Sequence, residues 1–229
     1  MSDRDWRPPR VKLAGLSLPV RTVEVKRFGR IRCPEAGDLF FTRSDSWLGK
    51  AIRLMTREIG EPPSIYQHVG IVVKSAPTWA DAVVVEALAS GVVERRFGDG
   101  YDLTAKRVEV WRYHDTKTRR LAAFKARKRI GQNYGYLKLL LHAGDWLVSR
   151  GRFRLLRRLG KVDRWPICSY LAAVAYKRAD QEVRAASKVQ RSPFWRGFNP
   201  ETMTPDDLHD AVTRSALWRV VRPAGSVTP

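Results

Sequence analysis

This chain is organised around the segment Trp165-Pro166-Ile167-Cys168-Ser169-Tyr170-Leu171-Ala172-Ala173-Val174-Ala175-Tyr176. Pro166 ends the element before it, and the residues from Ser169 onward suit a helix with an apolar face. Cys168 therefore lies at a helix N-terminus, where aligned peptide dipoles and free N–H groups favour a thiolate over a thiol. Because the thiolate is the reactive form of cysteine, we interpret Cys168 as a nucleophile whose base lies elsewhere in the chain.

The charge of the chain predicts contact with polyanions. Its 229 residues suffice for one sizeable domain or two small ones, and the formal net charge is +20. A surface of this kind attracts nucleic acid, anionic lipid headgroups or acidic cell-wall polymer. A soluble basic protein with no polyanionic ligand has the same composition, so the charge alone does not choose between them.

The sequence also bears on location and on cofactors. No apolar run is long enough to span a bilayer, and the first residues lack the apolar core of a secretory signal. We therefore expect a cytoplasmic protein by default, with association with a virion as the alternative. The two cysteines, Cys33 and Cys168, do not form a disulfide scaffold. The histidines are far apart and no metal-binding spacing occurs, so we expect no metal site and no cofactor.

The order of the predicted elements indicates an α+β domain. Strands are predicted at 39–42, 66–73, 82–88, 91–97 and 107–113, helices at about 118–132 and 169–179, and a last strand at 216–221. Residues 181–200 are predicted to be a loop, and Thr204 to cap a further helix with Pro205 at its first position. We divide the chain into a basic arm (1–21), one domain (22–221) with a basic helical insertion at about 118–164, and a flexible tail (222–229). A strand-rich half followed by a helix-rich half favours an antiparallel sheet packed against helices.

A base and an orienting carboxylate are predicted on one hairpin. If the strands on either side of Pro77 pair symmetrically about it, His68 lies directly opposite Glu86 and points to the same face. A carboxylate in that position holds the imidazole tautomer and stabilises imidazolium. Glu86 lies in an apolar run, where an unpaired carboxylate would be costly to bury.

Plainer interpretations remain open at this point. His68 can be a structural histidine, and Cys168 can be a small core residue. Cys33 precedes a proline in a turn and is taken as structural. The remaining histidines have no suggestive neighbours in sequence; they are His114, His142 and His209.

A set of ordered motifs then resembles a known family. They are Gly37-Asp38-Leu39-Phe40-Phe41, His68-Val69-Gly70-Ile71-Val72, Val85-Glu86-Ala87 with Gly91-Val92, Tyr134-Gly135-Tyr136, Cys168-Ser169, and Thr204-Pro205-Asp206-Asp207-Leu208. The set resembles the circularly permuted papain-like hydrolases, the YiiX/YebB-like branch of the NlpC/P60 superfamily, with lecithin retinol acyltransferases as more distant relatives. In this group the histidine precedes the cysteine along the chain, as it does here.

The resemblance implies a thiol hydrolase or acyltransferase with Cys168 as nucleophile, His68 as base and Glu86 as third polar residue. Its substrate would carry an amide or ester bond, in a cell-wall peptide, a lipid or a peptide conjugate. The backbone N–H of Cys168 is a natural oxyanion donor. Candidates to line the cleft are Tyr66, Trp165 and Ser169.

A basic segment leads directly into the nucleophile. Its candidate polyanion-binding residues are Arg150, Arg152, Arg154, Arg157, Arg158 and Lys161, with apolar residues interleaved. They suit an anionic membrane, nucleic acid or a virion assembly, and a solvated helix face is the plainer interpretation. The alternative function is therefore a basic structural protein, for example a virion component, that keeps the fold and binds nucleic acid or an assembly.

Overall fold

The structure is a computed structural model that describes residues 33–43, 66–101, 108–133, 167–187, 193–196, 198–201 and 203–221. Several predictions from sequence therefore lie outside the described residues. They are the N-terminal arm, most of the 118–164 insertion, Trp165, the basic cluster from Arg150 to Lys161, and the tail. The residues that are described form a mixed α+β structure, as expected.

Six strands form one antiparallel sheet. They are β1 (Leu39–Thr42), β2 (His68–Lys74), β3 (Val83–Leu88), β4 (Gly91–Arg96), β5 (Val108–Tyr113) and β6 (Trp218–Val221). Their order across the sheet is β4-β3-β2-β1-β5-β6. Each predicted strand is confirmed to within two residues at either end, because its alternating or apolar pattern is a local property of the sequence.

Four helices accompany the sheet within the described residues: α1 (Thr116–Arg127), α2 (Cys168–Ser187), α3 (Pro193–Arg196) and α4 (Pro205–Thr213). The predicted start of α4 is confirmed, since Thr204 and Asp207 form a reciprocal capping box and Pro205 is the first helical residue. No helix in this part of the chain is long and apolar enough to cross a membrane.

Two helix predictions were wrong in their extent. Helix α1 begins at Thr116 because the Asp115 carboxylate accepts the N–H of Thr118 at 2.8 Å, and it ends at Arg127 rather than 132. Helix α2 continues to Ser187, through residues that were predicted as a loop. In this extension Asp180 is buried, and its Oδ1 lies 2.8 Å from Nε of Arg184 one turn later.

The helices cover one face of the sheet. Helix α1 buries Ala122, Ala123 and Ala126 against α2, which turns a run of alanines toward it. These short side chains let the two helices approach each other and the sheet closely. Helix α1 is thus part of the main core. The opposite face is covered by a second apolar cluster that includes Trp79 and Phe97.

A buried ion pair joins the strands to the helices. Asp38 and Arg112 are both fully buried, and the guanidinium donates to both carboxylate oxygens at 2.7 Å. Arg119 of α1 lies beside the same carboxylate, and Tyr176 of α2 donates to the carbonyl of Gly37. One cluster therefore ties β1, β5, α1 and α2 together.

Gly37 offers a test of that junction. Its φ is +93°, and an added Cβ would lie 2.5 Å from the Cβ of Arg119. Gly131 has a similar φ of +83° but nothing within 4 Å. We expect Gly37→Ala to lower the free energy of unfolding by roughly 3 kcal/mol, and Gly131→Ala by about 1 kcal/mol from backbone strain alone. Urea denaturation of both variants checks this. Equal losses of unfolding free energy would contradict the close approach of Gly37 to Arg119.

Candidate active site

Three predicted residues meet at one end of the sheet. Cys168 is the first residue of α2, His68 is the first residue of β2, and Glu86 lies in β3. His68 Nε2 is 2.6 Å from Glu86 Oε2. The Cys168 thiol lies 3.9 Å from the carbonyl oxygen of Gln67, the residue before His68, and the thiol and the imidazole are close enough to shift each other's pKa. The structure therefore brings together a thiol, an imidazole and a carboxylate in that order.

The hairpin that carries the base and the carboxylate has a different register from the predicted one. Ile71 pairs with Val85, so continuing that register sets Gly70 rather than His68 opposite Glu86. The predicted register was wrong by two residues, since the pairs Ile71–Val85 and Val72–Val84 are centred on residue 78 rather than on Pro77. A shift of two keeps the side chains on the same face, and His68 reaches Glu86 diagonally.

Gly70 makes room beside the carboxylate. A Cβ at this position would collide with the ring of Phe40 and would lie 3.2 Å from the Cβ of Glu86. The missing side chain thus lets the Phe40 ring pack next to Glu86, and that ring also lies 6.4 Å from the His68 ring. The base is held from one side by this aromatic contact.

Glu86 is fully buried and accepts hydrogen bonds from three residues. The donors are His68, the Arg95 Nε and the Tyr101 hydroxyl. Burial by itself raises the pKa of Glu86, but these donors and the His68 charge outweigh it and hold the pKa at about 2. The carboxylate is therefore ionised, so Nε2 of His68 carries a proton and Nδ1 is left for the thiol.

The thiol and the imidazole perturb each other strongly. Burial raises the pKa of Cys168, but the His68 hydrogen bond and charge, with backbone N–H groups of Val69 and Ser169, lower it below its usual range. Burial lowers the pKa of His68, whereas its bonds to Cys168 and Glu86 raise it to about 10. Both shifts favour the thiolate–imidazolium form of the pair over the neutral thiol and imidazole. Cys168 is 6% exposed and the His68 side chain 18% exposed.

Arg95 and Tyr101 complete the site and were not predicted. Glu86 pairs with Val93 across β4, so Arg95 is two residues further along the same face. The sequence could have predicted the position of Arg95, because the two-residue turn between β3 and β4 sets the register of these strands. Tyr101 follows the short 3₁₀ helix Phe97–Asp99 and had no comparable signal. The Arg95 guanidinium also lies 5.1 Å from the centre of the Tyr101 ring.

The cleft candidates have different positions. Ser169 is fully buried, and its hydroxyl donates to the Met203 carbonyl at 2.6 Å. Its side chain therefore anchors α2 to the segment before α4 and does not line a cleft, contrary to the prediction. Tyr66 is half-buried, two residues before His68. Trp165 lies outside the described residues.

A second histidine–carboxylate pair holds Tyr66. Glu109 accepts from the Tyr66 hydroxyl, from Trp111 Nε1 at 3.0 Å and from His209 Nε2 at 3.1 Å. These contacts lower the pKa of Glu109 despite burial, which raises it. The rings of Tyr66 and His209 lie 4.3 Å apart. His209 has no suggestive neighbour in sequence, and the fold supplies Glu109 as its partner from 100 residues away.

The described part of the chain contains no group of three or more His, Cys, Asp or Glu side chains arranged to hold a metal ion. Cys33 and Cys168 are both free thiols, the first exposed and the second buried.

Comparison with protein-family models, with curated proteins and with solved structures gave no match for this chain.

The ionised state of Glu86 predicts an acid-sensitive fold. Its pKa of about 2 lies below the ordinary 4.5, so its stabilising effect is full above about pH 4.5 and is lost as pH falls toward 2. We expect Glu86→Gln to lower the free energy of unfolding at pH 7 by roughly 3 kcal/mol, because it leaves buried donors without their anion. The loss between pH 4.5 and 2 should then be smaller than in the parent chain.

Urea denaturation at several pH values measures this difference. Glu182→Gln is the matched control, since the Glu182 side chain is 59% exposed and should change little. If Glu86→Gln and the parent chain lost stability equally between pH 4.5 and 2, Glu86 would not be the titrating group.

Proposed function

We propose that this protein is a cysteine hydrolase or acyltransferase acting on an amide or ester bond through a Cys168–His68–Glu86 triad. The observation that carries the proposal is the line of contacts from a helix-terminal thiol through an imidazole to a buried, ionised carboxylate. A nucleophile, a base within reach and a group that orients the base are the parts that acyl transfer requires.

The reaction begins with attack by the Cys168 thiolate on the carbonyl carbon of the substrate. A sulfur–carbon bond forms, and the carbonyl oxygen becomes an oxyanion. The first N–H groups of a helix have no intrahelical partner, so the backbone N–H of Cys168 is suited to bind that oxyanion. The His68 imidazolium then gives its proton to the leaving amine or alcohol, and a thioester with Cys168 remains.

The second half of the reaction releases the acyl group. Neutral His68 accepts a proton from water or another acceptor, which attacks the thioester and displaces the Cys168 thiolate. Glu86 stabilises the imidazolium in each half, and Arg95 and Tyr101 keep Glu86 ionised and fixed. The leaving group and the acceptor determine whether the outcome is hydrolysis or transfer.

The finer assignment of fold belongs to the same proposal. An antiparallel sheet that carries the histidine before the helix that carries the cysteine matches the order of the permuted papain-like group. That resemblance supports cell-wall peptides, lipids and peptide conjugates as substrate classes.

The alternative is a basic structural protein that binds nucleic acid or an assembly, and it rests on the net charge of +20. Such a protein needs no buried cluster of two anions, Glu86 and Cys168, with the cations His68 and Arg95. Burying charges in this way is costly and often stabilises less than apolar packing would. The cluster therefore favours the enzyme.

An activated ester tests the proposal directly. Incubation with p-nitrophenyl acetate should release p-nitrophenolate in a burst of about one equivalent and leave an acetyl group on Cys168, as measured by intact and peptide mass spectrometry. Cys168→Ala should abolish both, and His68→Ala should slow acylation at least about a hundredfold. Cys33→Ala is the matched control and should behave as the parent chain. Acylation at Cys33, or no effect of His68→Ala in a variant with unchanged thermal unfolding, would contradict the mechanism.

The lowered pKa of Cys168 makes a separate prediction about reactivity. In Cys33→Ala, the rate at which iodoacetamide alkylates Cys168 should fall much less from pH 8 to pH 6 than the rate of an ordinary thiol, because the lowered pKa keeps more of Cys168 as thiolate. The alkylation rate of an ordinary thiol falls about a hundredfold from pH 8 to pH 6. Cys33 in the Cys168→Ala variant provides that reference rate. His68→Ala should restore the steep dependence at Cys168. A steep dependence in the presence of His68 would show that the thiol is not activated.

A further inference from the structure

Helix α1 exposes two large apolar side chains. Phe124 is 53% exposed, and Ile130, just beyond the helix, is 43% exposed. Among the described residues these are the large hydrophobic side chains that remain exposed. The opposite side of the same helix is buried in the core through its alanines, so the helix has a core face and an outer face.

Cations share the outer face with Phe124. On a helix, residues three, four and seven positions apart lie on one side, and Phe124 has basic neighbours at each of these spacings. They are Lys117, Arg120, Arg127 and Lys128, all exposed. The Lys128 ammonium lies 4.5 Å from the centre of the Phe124 ring. Arg127 is engaged with Glu94 at 2.8 Å, and the surface as a whole remains basic.

The C-terminal part of this face and the turn after α1 lie at the same end of the molecule as the candidate site. Strand β2 begins at His68 and its second neighbour β4 begins at Gly91, both at one end of the sheet. The segment after α1 joins that end, since Gly131 donates to Val92 at 2.9 Å and Val92 donates to Gln132 at 2.8 Å. The Arg129 guanidinium lies 5.5 Å from the ring of Tyr170, two residues after Cys168.

We propose that the outer face of α1 and the turn after it, with the exposed Phe124 and Ile130 and the cations Arg120 and Lys128, docks on an anionic lipid bilayer. Apolar side chains gain by entering the headgroup region, and long basic side chains gain by lying against anionic headgroups. Nucleic acid would use the cations but has no use for an exposed isoleucine. Docking itself does not depend on catalysis. Its consequence, that Cys168 receives acyl substrates presented at a bilayer surface, rests on the proposed function.

Vesicle co-sedimentation of the full chain tests the proposal. We expect binding to phosphatidylcholine vesicles that contain phosphatidylglycerol, and none to phosphatidylcholine alone. Arg120→Gln/Lys128→Gln should lower the partition coefficient about thirtyfold at low salt, from about 1 kcal/mol for each cation. Phe124→Ser/Ile130→Ser should lower it at least about tenfold. All four side chains are exposed, and thermal unfolding checks that the variants fold.

A matched control is Lys74→Gln/Arg96→Gln, which removes the same charge at the opposite end of the sheet. It should keep most of the binding. Equal loss in this control, or full binding by both α1 variants, would overturn the proposal. Loss with the charge variant but not with Phe124→Ser/Ile130→Ser, together with salt-dependent binding to duplex DNA, would also overturn it and indicate a nucleic-acid surface. Cys168→Ala should bind vesicles as the parent chain does, so failure of docking and failure of catalysis are separable.

Discussion

The carboxylate of Glu86 lies inside the sheet, where a negative charge is tolerated only with donors around it. Its three donors come from β2, from β4 and from the segment after the 3₁₀ helix, so one charge holds three parts of the chain in place. The imidazole of His68 is oriented by this requirement, and it lies close enough to the thiol of Cys168 for the two groups to shift each other's pKa. The geometry of the candidate site is thus a consequence of satisfying one buried anion.

The same constraint recurs at two other carboxylates. Asp38 is matched by Arg112, and Glu109 by His209, Tyr66 and Trp111. Each of these carboxylates joins segments that are distant in sequence. Hydrogen bonds as well as charge hold each carboxylate in place. Acids are outnumbered by bases in this chain, 23 to 43. Arg112 and Arg119 are buried beside Asp38, so the fold removes bases as well as acids from the surface.

Helix α1 connects these two features of the molecule. Its inner face supplies the alanines that let α2 approach the sheet, and α2 carries the cysteine at its first residue. Its outer face presents cations beside Phe124, and the turn after it exposes Ile130. A single helix therefore supports the nucleophile from one side and offers a surface for a partner on the other.

Local patterns determined the elements that depend on neighbouring residues. The strands follow from alternation and apolar runs, the start of α2 from Pro166 and the residues after it, and α4 from Thr204 and Pro205. The shared face of His68 and Glu86 also follows from sequence, because a register shift of two leaves the faces unchanged. The length of α2 was missed, since burial of Asp180 and packing against α1 extend it through polar residues.

Only the tertiary structure decided which distant groups meet. The Tyr101–Glu86 and His209–Glu109 contacts join residues 15 and 100 positions apart, and no local period encodes them. Ser169 is a polar residue next to the nucleophile and was predicted to line the cleft. Its hydroxyl instead donates to the Met203 carbonyl in the core. The sequence by itself determined the strands, the helix that begins at Cys168 and the side of the sheet to which His68 points. The contacts that ionise the site came from the fold, because a buried charge is matched by whichever donors the folded chain brings to it.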